Sequence, residues 1–195
     1  MQFSYDKSTI QMFERQMKIR QKALPVLQGK EAALRKAIFQ QQTLLETLEK
    51  ELHELRFTLL KQAGIWLEWP SILRIKHIHF GTKITAGVKL KTLEEVEFEE
   101  FEADWIYGPI WLFQGIKRLK DLVELSLKVR LAHEQLLSLE FARKKTTQKV
   151  NLYEKVQIPF YKISVRKIKR FLEDKENIAK AAKKIAKMRQ NLDWS

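Results

Sequence analysis

The chain has 195 residues, 45% of them hydrophobic and 31% charged, with a formal net charge of +13 and no cysteine. This is a soluble-range composition richer in charge than average. The missing thiols exclude a disulfide framework and thiolate chemistry, which fits a reducing compartment.

The start, Met1-Gln2-Phe3-Ser4-Tyr5-Asp6, lacks the charged and apolar regions of a secretory signal. The longest uncharged run, Trp105 to Ile116, falls well short of the roughly 20 residues that span a bilayer. A soluble or peripheral protein is expected. The charge is uneven: residues 1–63 hold 11 basic and 7 acidic side chains, 64–115 hold 5 and 8, and 116–195 hold 21 and 9. Such a basic C-terminal arm suits nucleic acid, an anionic membrane surface or an acidic protein cavity. It is equally what the wide solvated surface of a narrow-seamed coiled coil requires.

The first predicted element is a helix over about residues 7–63, capped by Asp6 or Ser8 and ending near Gly64. Stepping alternately by three and four gives Ile10, Phe13, Met17, Arg20, Leu24, Leu27, Glu31, Leu34, Ile38, Gln41, Leu45, Leu48, Leu52, Leu55 and Leu59, with three polar positions. A sustained repeat of 3.5 residues holds a narrow stripe against a partner when helices supercoil left-handed. The stripe is too narrow for a core of its own, so the helix, roughly 75 Å long, requires a partner. Pro25 lies inside it, removes an amide hydrogen and crowds the carbonyl of Gln21, so a kink or local break is expected there.

Residues 64–108 form an insertion punctuated by Pro70, Gly81, Gly87 and Gly108. Ile72–Phe80 and Val88–Lys91 read as strands of a small hairpin. In the acidic run Glu94–Glu102 strand spacing sets Val96 and Phe98 on one face and Glu95, Glu97 and Glu99 on the other. His77 and His79 share a strand face, which is a metal-capable spacing without further ligands nearby. The paired glutamates lack a pocket-forming context for acid–base catalysis. Trp66, Trp69, Trp105 and Trp111 suit a small core beneath the hairpin or a docking surface. No glycine-rich phosphate loop is present.

The third element begins after Pro109 and spans about 109–192. Its stripe reads Leu119, Leu122, Leu125, Val129, Ala132, Leu136 and Leu139, resumes at Val150, Tyr153, Val156, Phe160 and Ile163, and finishes at Ile178, Ala181, Ile185, Met188 and Leu192. Pro159 is a second expected kink. The fold class expected is mainly α: a long antiparallel left-handed coiled coil of N- and C-terminal helices with a small β-hairpin-containing insertion at the turn end, forming one elongated domain over 1–195. If the turn fixes the register, residues near 60 face residues near 124. Pro25 and Pro159 then lie at one level, residue 38 lies near 146, and the basic end beyond about Lys184 has no partner.

The string Lys145, Thr146, Thr147, Gln148, Lys149, Val150, Asn151, followed by Glu154, Val156, Ile158 and Pro159, resembles the K-T-T-Q-R-V-N-A-L-E-x-V-V-I-P motif of the D subunits of V-type rotary ATPases. Lys149 replaces Arg, Leu152-Tyr153 replaces Ala-Leu, and Gln157 replaces Val. Leu27, Lys30 and Leu34 match part of the family's L-L-K-x-K-R-D-x-L segment, and Gly29, Glu31 and Ala32 depart from it. Ala86–Leu90 resembles its G-V-x-x-P strand, with Lys91 at the proline. Leu172, Glu173, Lys183 and Lys184 match its C-terminal L-D-E…L-K-K pattern.

The resemblance runs through nearly the whole chain and implies a non-catalytic central-stalk rotor without cofactor, catalytic residue or metal. Its implied partners are the hexamer of catalytic and regulatory subunits, the small F subunit and the funnel-shaped subunit above the membrane ring. It implies torque transmission coupled to proton or sodium translocation, in a cytoplasmic position peripheral to the inner membrane, with neither a direct membrane span nor nucleic acid. Lys183, Lys184, Lys187 and Arg189 are then expected to contact the bearing. The reading of another class is a basic coiled-coil arm binding nucleic acid, or a scaffold or stalk protein.

Overall fold

The computed structural model describes residues 4–61, 73–99 and 110–192, with the side chains of 110–113 and 190–192 left aside. Helix α1 spans Lys7–Lys61, strand β1 Ile75–Thr85, strand β2 Val88–Phe98 and helix α2 Ile110–Asn151. A π-helical segment, Leu152–Gln157, leads into helix α3, Ile158–Leu192. The protein is mainly α with one antiparallel hairpin, as the sequence implies. Trp66, Trp69, Trp105, Pro109, Ile72 and Glu100–Glu102 lie outside the described residues, as does the side chain of Trp111.

The chain falls into two compact units, a terminal unit of Met1–Gly29 with Thr146–Ser195 and a hairpin unit of Lys30–Lys145. In the terminal unit, α1 starts on a side-chain cap. The backbone N–H of Thr9 donates to Asp6 Oδ1 at 2.6 Å and the Ser4 hydroxyl donates to Oδ2 at 2.9 Å. One of the four orphan donors of the first turn is thereby satisfied. The bonds from Thr9, then from Ser4, hold the Asp6 carboxyl below the usual carboxylate range. A group with a lowered folded-state pKa stabilises above its unfolded pKa and loses that contribution as pH falls through the folded one. Amide protection at Thr9 and Ile10 is therefore expected to drop on acidification below about pH 4. Asp6→Ala should abolish that pH dependence, as read by hydrogen exchange.

Further along the terminal unit, Ile10, Phe13, Val165 and Ile168 form a buried cluster backed by Tyr161 and Leu172. The rings of Phe13 and Tyr161 lie 5.4 Å apart, and Glu14 accepts from Lys169 Nζ at 2.8 Å beside them. That lysine bond, the largest influence on it, lowers the Glu14 pKa. Each of the α1 seam positions named from the sequence is buried or half-buried, from Ile10 through Leu59. The helix runs unbroken through Pro25.

The hairpin unit pairs the middle of α1 with α2. Leu34, Ala37, Ile38 and Leu139 are buried together with Leu90 of β2, and Ala86, Val88, Leu136 and Ala142 pack against them. The hairpin thus docks by its turn end. Ala86 and Gly87 both have positive φ, 50° and 74°, the requirement of a two-residue type I′ turn. The left-handed conformation is costly for alanine, and here its methyl joins the apolar cluster that offsets the strain. A polar relay crosses the same level: Gln41 Nε2 donates to Gln135 Oε1 at 2.8 Å, and Gln135 Nε2 donates to the Lys91 carbonyl.

Three sequence expectations are corrected. Gly81 does not end a strand. It lies within β1, where a Cβ would require the side chains of Glu94 and Thr92 across the ladder to shift. The register is not the one that a turn centred between residues 60 and 124 imposes, because the connection is a long insertion. Arg20 bonds Gln157, about two helical turns from the residue that rule assigns it, and Ile38 packs with Leu139. Pro25 and Pro159 are accordingly offset along the pair.

The C-terminal stripe also differs from the one the sequence suggests. Val156, Phe160 and Ile163 are exposed, and the inward positions are Tyr153, Gln157, Tyr161, Ser164, Val165 and Ile168. The π segment is the cause. The backbone N–H of Ile158 donates to the Tyr153 carbonyl, five residues back, so this turn takes one residue more than an α turn. The following Pro159 has no N–H to give, and a widened turn relieves the crowding its ring causes in a regular helix. Every seam residue after it is displaced by one. Ile178, Ile185 and Met188 are exposed as well, since Leu172 is the last inward residue of α3 among those described.

Candidate functional site

The residues singled out by the sequence lie on helix surfaces and along the helix pair. Lys145 closes the hairpin unit with its Nζ 4.3 Å from the centroid of the Phe141 ring. Thr146 and Val150 open the C-terminal part of the other unit and are buried, with Gln148 and Asn151 exposed. Glu154 is exposed in the π segment, and Ile158 and Pro159 are half-buried where α3 begins. One motif thus carries the seam, the π turn and the proline that follows it.

A constellation the sequence reading left as an isolated polar exception stands at the same level. Arg20 donates from Nε to Gln157 Oε1, and from Nη1 to the Gln16 carbonyl at 3.0 Å and to Gln16 Oε1 at 2.6 Å. Its guanidinium carbon lies 5.0 Å from the centroid of Tyr161 and 5.7 Å from that of Tyr153. Cation–π attraction strengthens when the cation is partly desolvated, and a planar guanidinium is the side chain that bonds in its plane while rings cover its faces. The signal was in the sequence: counting inward steps backward from Ile168 and Tyr161 reaches Gln157, not Val156.

His79 Nε2 lies 3.1 Å from Glu97 Oε1, and the His77 and His79 rings lie 6.4 Å apart. In the hairpin unit an open groove is lined by Leu44, Leu48, Lys83, Leu90 and Leu131. Among the described residues no helix is long and apolar enough to cross a membrane. What the chain displays is surface and seam: a guanidinium layer, a docked hairpin, and an α3 whose residues 173–189 are all exposed. Lys183, Lys184, Lys187 and Arg189 lie on that exposed run.

A family model described as the ATP synthase D subunit matches residues 9–188. The chain belongs to the family of ATP synthase D subunits. The resemblance to the V-type D subunits read from the Lys145–Asn151 string is thereby borne out. Among relatives, the V-type ATP synthase D subunit of Borreliella burgdorferi is 26% identical over 184 residues, covering 93% of this chain and 91% of that one. The protein of the same name from Chlamydia trachomatis serovar L2 is 32% identical over 102 residues, 52% of this chain and 50% of its own. That of Chlamydia muridarum is 31% identical over 102 residues. This member of the family departs from the motif at Gln157, and Gln157 is the partner of Arg20.

Proposed function

We propose that this member of the family is the central-stalk rotor of a V-type rotary ATPase or ATP synthase, a non-catalytic shaft that transmits torque between a catalytic hexamer and a membrane ring translocating protons or sodium. The observation that carries the reading is the α1 seam, which faces inward over the length of a 55-residue helix. Helices packed along such a stripe resist torsion, and nothing in that work calls for a reactive group. The similarity to V-type ATP synthase D subunits of bacteria supports the V-type assignment. The partners of this reading are the hexamer of catalytic and regulatory subunits, the small F subunit and the funnel-shaped subunit above the ring. The complex lies on the cytoplasmic face of the inner membrane, and nucleic acid has no part in it. Pro25, and Pro159 with its π turn, are the places where the shaft bends. The exposed Lys183, Lys184, Lys187 and Arg189 run in the bearing at its tip.

Tagged protein drawn from its native cell is expected to bring down the hexamer and a small F-like subunit. Truncation after Lys183 is expected to lower rotation-coupled ATP hydrolysis severalfold with assembly retained. Unchanged hydrolysis and assembly would sink the bearing assignment. The cationic run of α3 also fits a nucleic-acid arm, and retained duplex or RNA with affinity falling steeply in salt would favour that reading over the axle.

A further inference from the structure

The displacement of the C-terminal seam leaves a face of the terminal unit uncovered. Leu152, Val156, Phe160 and Ile163 each directly precede an inward residue, namely Tyr153, Gln157, Tyr161 and Ser164. Met12, Ile19 and Val26 of α1 likewise precede the inward Phe13, Arg20 and Leu27. One residue is about 100° of helix rotation, so both rows lie to one side of the seam. In an antiparallel pair the two rows share that side. The ion pair between Glu14 and Lys169, which follow the inward Phe13 and Ile168, marks the other side. Phe160, of the α3 row, sets its ring 6.2 Å from that of the inward Phe13 of α1.

All seven residues are exposed, Val26 at 72% and Ile163 at 64%. Together they show on the order of 600 Å² to solvent, at the upper end of the largest apolar patch of a typical monomer. The rim is cationic. Lys149 and Lys167 precede the inward Val150 and Ile168 and so lie on the same side, and Arg15 sits one turn from both Met12 and Ile19. Within residues 12–26 and 149–170 the sequence holds two carboxylates, Glu14 and Glu154. Each follows an inward residue and therefore lies on the opposite face.

We infer that this face of the terminal unit is a one-sided docking surface for an apolar, carboxylate-rimmed patch on the subunits of the hexamer that enclose the shaft. The inference rests on the axle reading and adds to it which side of the shaft engages. Charge selects the occupant. A second copy would bring the same lysines and arginine against themselves, which is repulsive, whereas a carboxylate rim is complementary and an apolar centre excludes water. A shaft with one adhesive side holds one angular position against a ring more firmly than the others.

The test uses the full chain and the purified hexamer of catalytic and regulatory subunits from the same cell. The triple variant Ile19→Ser, Val156→Ser, Ile163→Ser replaces exposed residues, and circular dichroism should show unchanged helix content. It is expected to weaken hexamer binding by about 30-fold. The control pair Phe39→Ser, Leu137→Ser, equally exposed but in the hairpin unit, should stay within about twofold. Lys149→Glu with Lys167→Glu should weaken binding and flatten its salt dependence.

If wild-type protein does not bind the hexamer, the axle reading itself fails. If wild type binds and the triple variant binds equally well, or the control pair weakens as much, the one-sided surface is wrong and the axle stands. Flotation of wild type on phosphatidylglycerol vesicles, lost in the triple variant while hexamer binding is kept, would overturn the inference in favour of a membrane surface. Self-association in sedimentation velocity, lost in the triple variant in the same way, would overturn it in favour of a second copy.

Discussion

Ile168→Ala is expected to destabilise the terminal unit by about 2–4 kcal/mol, while Ile163→Ala, five residues earlier on the same helix, costs under about 0.5 kcal/mol. Ile168 is fully buried against Ile10, Phe13 and Val165, so truncation removes apolar contact on several sides and leaves a cavity. Ile163 is mostly in water already. The stripe read from the sequence, Val150, Tyr153, Val156, Phe160 and Ile163, makes Ile163 a seam residue, so the two variants decide between that stripe and the displaced seam of the structure. Urea unfolding of both proteins makes the measurement. Equal losses would mean that the seam does not slip.

Deleting Lys155 tests the π turn directly. Removal of one residue from a turn that holds one extra leaves Tyr161, Val165 and Ile168 facing inward, but in a regular α-helix. Pro159 then sits in a helix interior, where it costs about 3 kcal/mol. Adding Pro159→Ala to the deletion is expected to restore stability to within about 1 kcal/mol of wild type, a coupling of about 2–3 kcal/mol between the two changes. Deleting Lys162 makes the informative contrast. That residue lies beyond the π turn, so its loss rotates Val165, Ile168 and Leu172 by about 100° out of the seam. Pro159→Ala should not rescue it. Thermal unfolding of the four proteins gives the cycle, and additive effects for Lys155 and Pro159 would refute the link between proline and π turn.

These two predictions mark where the sequence was legible. Every α1 seam position from Ile10 to Leu59 faces inward because α1 is regular, and a regular helix converts spacing into facing without ambiguity. In β2 Val96 is buried and Glu95 exposed, as a period of two requires, but Glu97 is as half-buried as Phe98, so the alternation fades at the strand's end. Beyond Tyr153 the same counting fails, because the backbone changes its residues per turn and apolar side chains occur at both candidate phases. Val156, Phe160 and Ile163 satisfied a seam pattern so well that their exposure, and with it the apolar face, was hidden. Gly81 misled for a related reason: glycine often punctuates strands, and it also occurs inside them, here with the side chains of Glu94 and Thr92 leaning over it.

The two polar levels of the seam, Arg20 with Gln157 and Gln41 with Gln135, have a mechanical meaning. Leucines slide past one another by a heptad at modest cost, but a guanidinium or amide moved one heptad loses its hydrogen-bond partner. Each level is therefore a notch that fixes its two helices lengthwise. Twisting such a pair stores energy as bending of packed helices instead of dissipating it as slippage between them.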